Sequence, residues 1–124
     1  MKRPAGLTPD LIALYADSPD EGVCWSEKTA DLNVNLVAWS PSHGVDPHVN
    51  EACDVLLVGL HGRGRVEIDA NPHPVLTGSV ILIPRGSTRA IIAETRMLYL
   101  TSHVRQPETF DVDLPGVKTR GSLR

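Results

Sequence analysis

Between Leu32 and Thr101 the chain is a succession of short apolar runs, each closed within a few residues by glycine, proline or asparagine. No other feature constrains the fold as much. Runs this short suit strands and fall short of helices. Leu32, Val34, Leu36 and Ala38 alternate with Asn33, Asn35, Val37 and Trp39, a period of two. Val55 to Leu60 is a dense apolar run, and Gly62-Arg63-Gly64 breaks it before Arg65 to Ile68 alternates again. Asp69-Ala70-Asn71-Pro72 reads as a turn, since asparagine tolerates unusual backbone angles and proline fixes φ. His73 to Leu76 returns as the other arm of that hairpin. Gly78 leads into Ser79 to Ile83, Pro84-Arg85-Gly86 turns the chain once more, and Ala90 to Ala93 and Met97 to Thr101 supply two further strands. Many short strands at close spacing predict an antiparallel sandwich or barrel.

The segment before these strands differs. Thr8-Pro9-Asp10 has the chemistry of a helix start: the threonine can cap, and proline at the first helical position gives up no needed N–H. Leu11, Ile12, Leu14 and Tyr15 follow at near-helical spacing, and Ser18-Pro19-Asp20 ends the segment. The expected organisation is an N-terminal arm over 1–22, a β-domain over 23–105 and a surface-wrapping tail over 106–124.

Composition excludes several classes. Hydrophobic residues make up 41% of 124 and charged residues 22%, with a net charge of −3 and a pI near 5.9. That suits one soluble domain and gives no reason to invoke nucleic acid or a membrane surface as partner. A helix-turn-helix module would need a second domain. No apolar stretch nears the ~20 residues that span a bilayer, and Pro4-Ala5-Gly6 stands where a leader's apolar run would begin. The expectation is a cytoplasmic protein with Cys24 and Cys53 as free thiols, although sequence cannot place the two sulfurs. No GxSxG, P-loop or HExxH pattern occurs.

One stretch carries a resemblance. Gly78-Ser-Val-Ile-Leu-Ile-Pro84-Arg-Gly86 keeps the Gly, five residues, Pro-x-Gly spacing of the second conserved motif of the cupin family. Gly44-Val-Asp-Pro-His48-Val-Asn50-Glu-Ala-Cys-Asp54, followed by the strand to Gly62, is similar to the first. The resemblance covers about 70 residues, Leu32 to Thr101. It implies an all-β fold, a double-stranded β-helix or jelly-roll barrel with a short helical arm, and a homodimer of the small RmlC-like kind.

In that family three His and one Glu usually bind a divalent metal. Here only His48 stands at a His position. The second is Asn50, a weak neutral ligand, and the third is Arg89, a permanent cation. The Glu position falls on Asp54 or Val55, depending on the spacing used. Such a set predicts no tightly held metal. An Asp54–Arg89 ion pair is the expected replacement, because an inward aspartate needs a partner. Arg89 alternatively suits a carboxylate or phosphate ligand.

His48 reads as a ligand, as a neutral base at the barrel mouth, or as a structural histidine. Tyr99, Thr101 and His103 share one strand face; facing inward, His103 could join His48 and Asp54 in an unusual metal site, and facing outward it is surface only. Arg85, Glu51, His43, His61 and His73 read as solvated. Trp39 lines the mouth or a subunit contact. Leu56, Val58 and Leu60 read as the core stripe of their strand.

The expected function is therefore binding of a small anionic molecule in the barrel, through His48, Asn50, Asp54, Arg89 and His103. The alternative is a cupin enzyme of the dioxygenase, isomerase or decarboxylase type, with a divalent transition metal on His48, Asp54 and His103. Sequence leaves open whether any reaction is catalysed.

Overall fold

The computed structural model describes residues 6–104 of the chain. The expected tail over 106–124 lies outside them. The one helix among the described residues, α1 (Pro9–Ala16), begins as its sequence dictates. Thr8 caps it, its Oγ1 accepting the Leu11 N–H at 3.3 Å, and Pro9 opens it.

Nine strands follow among the described residues: β1 (Gly22–Lys28), β2 (Leu32–Trp39), β3 (Gly44–Val49), β4 (Val55–His61), β5 (Gly64–Ile68), β6 (Asn71–Val75), β7 (Val80–Ile83), β8 (Thr88–Ala93) and β9 (Met97–Val104). They form a five-stranded sheet ordered β1-β2-β9-β4-β7 and a four-stranded sheet ordered β3-β8-β5-β6. Every pairing is antiparallel. The two sheets face each other across an apolar core that includes Leu57, Val66, Val75, Ile83, Ile91, Met97 and Tyr99.

The turns explain how so short a chain folds back so often. The β5–β6 hairpin closes through Asp69 and Ala70, both at positive φ (50° and 68°), the backbone of a tight two-residue hairpin turn. Gly78 and Gly86 stand at φ 91° and 83°, where a Cβ would be strained, which is the physical content of the glycine spacing read from the sequence.

Helix α1 lies on the outer face of the five-stranded sheet. Leu7, Ile12, Tyr15 and Ala16 pack on Trp25, Leu36, Ala38 and Leu98 in a second apolar cluster. The Arg96 Nη2 donates to the Tyr15 carbonyl at 2.9 Å and holds the helix to the sheet.

Two readings of the sequence need correction. Strands β1 and β3 carry too little apolar alternation to be recognised; both are sheet edges, and β3 contains Pro47, which an edge strand tolerates because no ladder donor is needed there. The core stripe of β4 is also out of phase. Leu57 is 0% exposed and Val55 and Gly59 are buried, whereas Leu56 is 39% exposed on the outer face. A run apolar on both faces carries no phase information, and a slip of one residue exchanges the faces.

Candidate binding cavity

Between the sheets lies a cavity of about 300 Å³. The five-stranded sheet contributes Asn35, Val37 and Trp39 from β2, Tyr99, Thr101 and His103 from β9, and Val55 and Ile83 from β4 and β7. The facing sheet contributes Val45 and His48 from β3 and Arg89 and Ile91 from β8. The wall is completed by Gly22 and Val23 of β1. Val23 and His48, its exposed members on these strands, stand on the edge strands β1 and β3, which places the opening between those two edges.

Strand period explains the lining. On β9 the alternate residues Tyr99, Thr101 and His103 point inward, and on β2 Asn35 and Val37 do the same, with Asn35 opposite Thr101 and Val37 opposite Tyr99. On the other sheet Arg89 sits opposite His48. The polar side chains Asn35, Thr101 and His103 therefore share one wall, and His48 and Arg89 the other.

Arg89 dominates the electrostatics. It is 2% exposed. Its Nε donates to the Ser87 carbonyl at 3.1 Å, and its Nη2 donates to the Pro84 carbonyl at 2.8 Å and to Ser87 Oγ at 3.2 Å. Those contacts occupy three of five N–H groups. The two on Nη1 have no protein acceptor among the described residues, and no carboxylate there lies within ion-pair distance of the guanidinium. Burial pulls its pKa down, opposed by the fields of Cys53 and Asp69; a guanidinium still stays charged.

The aromatic pair works differently. Trp39 Nε1 donates to Tyr99 Oη at 3.0 Å. Their polar atoms satisfy each other, so the rings offer the cavity apolar surface. Burial pushes the Tyr99 phenol far above its ordinary pKa. At the opening, His48 Nδ1 lies 3.0 Å from the Asp46 carbonyl. A carbonyl only accepts, so Nδ1 carries the proton and Nε2 is the lone-pair nitrogen of the neutral ring.

The structure brings three of the five expected site residues, His48, Arg89 and His103, to the cavity. His103 is buried and faces inward. Asn50 and Asp54 serve the backbone instead. Asn50 Oδ1 accepts the N–H groups of Ala52 and Cys53, and its carbonyl accepts that of Gly86. Asp54 is exposed, its Oδ1 accepting the Arg85 N–H at 2.8 Å. The Asp54–Arg89 ion pair expected from the sequence is therefore not formed. The carboxylate is drawn to a turn N–H at the rim, and the guanidinium to carbonyls inside.

Arg85, Glu51, His61 and His73 are exposed, as read. His43 is exposed too and pairs with Glu21 at 2.6 Å. Both cysteines are free. Sequence reasoning left Asn35 out of the site; the available signal was a polar residue on the same strand face as Val37.

A metal of the family type does not fit these residues. Among the described residues no three His, Cys, Asp or Glu side chains converge. The set His48, Asp54 and His103 is split by the outward Asp54, and a permanent cation, Arg89, stands opposite His48.

No family model matches the sequence, and no curated protein does. Similarity to solved structures is extensive. The KdgF structure from Halomonas sp. aligns with a TM-score of 0.61 at 19% identity, over 66% of this chain and 76% of that one. A cupin protein from Bacteroides fragilis aligns at 0.58 and 19%, over 73% and 80%. NMB1881 from Neisseria meningitidis aligns at 0.64 and 15%, over 79% and 99%.

The fold is that of the cupins. At these identities the likeness speaks for the double-stranded β-helix alone, which the two facing sheets bear out. What the cavity does rests on its own residues. No helix among the described residues is long and apolar enough to cross a membrane.

Proposed function

We propose that this cupin binds a small anionic molecule in the cavity between its sheets, with Arg89 as the anchor. One observation carries the reading: a guanidinium buried to 2% exposure, lining an apolar cavity, has no counter-ion among the described residues. Burying an unpaired charge is costly, and a bound anion offsets that cost. His103, Thr101 and Asn35 supply hydrogen-bonding groups on the opposite wall, and His48 stands at the opening. The volume lies at the lower end of the ~300–1,000 Å³ typical of small-molecule sites.

Calorimetric titration with octanoate, galacturonate, acetate, sulfate and inorganic phosphate tests the reading. At least one of them binds saturably to the native protein and at least tenfold more weakly to Arg89→Met, with both proteins unfolding cooperatively. No saturable binding, or equal binding by the variant, overturns it.

We also propose a homodimer. Strand β7 is an edge strand of four apolar residues without charge or proline to block pairing. Val80 and Leu82 are 65% and 62% exposed on its outer face, beside Leu56 and Val58 of β4. A two-fold axis along that edge would cover the whole row.

A further inference from the structure

Resting on the reading of the cavity as an anion site, we infer that its ligand is a monocarboxylate with an apolar body, rather than a phosphate or a polyhydroxylated acid. Charge comes first. Arg89 brings one permanent positive charge, with the two N–H groups of its Nη1 free of protein acceptors among the described residues. A single carboxylate neutralises it. A phosphate carries about −1.5 to −2 at neutral pH, so part of its charge would stay buried and unmatched.

The walls decide the rest of the molecule. Beyond the polar groups the lining is Val37, Val45, Val55, Ile83 and Ile91 with the two aromatic rings. The one aromatic hydroxyl and the one indole N–H are already paired with each other. A sugar acid would bring several hydroxyls into a lining that is mostly apolar, and each one set against those walls rather than against Asn35, Thr101, His103 or His48 would be left unsatisfied. An alkyl or aryl body meets the same walls favourably.

Size fits as well. A cavity of about 300 Å³, at ~30 Å³ per water-sized group, holds roughly ten such groups. That is a carboxylate on a medium alkyl chain or a small ring.

The experiment follows the indole N–H resonance of Trp39 in ¹⁵N-tryptophan-labelled protein, assigned with Trp39→Phe. Octanoate, octanol, acetate, inorganic phosphate and galacturonate are titrated in turn. Octanoate saturates the Trp39 shift with an affinity at least tenfold above each of the other four, and Arg89→Met reduces it to the level of octanol. Tighter binding of phosphate or galacturonate overturns the inference but leaves the anion reading in place. Octanol matching octanoate overturns it too. If none of the four anions binds, the anion reading itself falls.

Discussion

Burial sets the chemistry of two ionisable residues on the cavity wall. Tyr99 is 2% exposed, and its pKa is raised chiefly by desolvation. The sign follows from linkage. The folded state favours the neutral phenol, so this contribution to stability is intact below the ordinary tyrosine pKa of about 10 and declines as pH rises above it. In an alkaline titration the phenolate absorbance of Tyr99, taken as the difference from Tyr99→Phe, is expected to appear only with unfolding. Its appearance while the chain remains folded would contradict the burial described. For Arg89 the prediction concerns donor geometry. Arg89→Lys keeps the charge but cannot hold the Pro84 and Ser87 contacts while presenting two free N–H groups. Anion affinity should fall at least tenfold by calorimetry.

At the scale of elements, phase and position decide what a residue does. Strand β4 makes the point. Leu57→Ala should cost about 2–5 kcal/mol in denaturant unfolding, because it empties a core position. Leu56→Ala, one residue earlier and facing outward, should stay within about 1 kcal/mol. Equal losses would mean that the strand register is wrong. The same strand shows what sequence could not reveal: VLLVGL is apolar on both faces, so its existence was legible and its orientation was not. Turn chemistry was more readable, since Gly78, Gly86 and the Asp69–Ala70 turn each answer to local backbone angles. The edge strands β1 and β3 were illegible because an edge needs neither full apolarity nor every donor. Asn50 and Asp54 misled for a related reason. They occupy motif positions, but whether a short polar side chain turns inward or bonds a neighbouring N–H depends on rim geometry set by the distant Pro84–Gly86 turn.

For the whole molecule, the cupin scaffold and the cavity separate cleanly. Glycine and proline spacing specified the scaffold, while the cavity's character emerged only when two sheets brought Arg89 to face His103, and Asn35 from more than 50 residues earlier in the chain. His103 was readable as a strand-face residue, not as inward. The outer apolar row predicts assembly: light scattering should give a dimer mass, and Leu82→Lys should shift it to the monomer without loss of cooperative unfolding. A native monomer would contradict the dimer. The claim on which the rest depends is that Arg89 holds an unpaired buried charge for an anion. It is tested most directly by the side-chain N–H resonances of Arg89 in ¹⁵N-arginine-labelled protein, assigned with Arg89→Met and followed as octanoate is added. The Nη1 protons are expected to move and slow in exchange as the ligand saturates, while the Nε proton, bound to the Ser87 carbonyl, changes little. Saturation of the protein with all Arg89 resonances unmoved would contradict it.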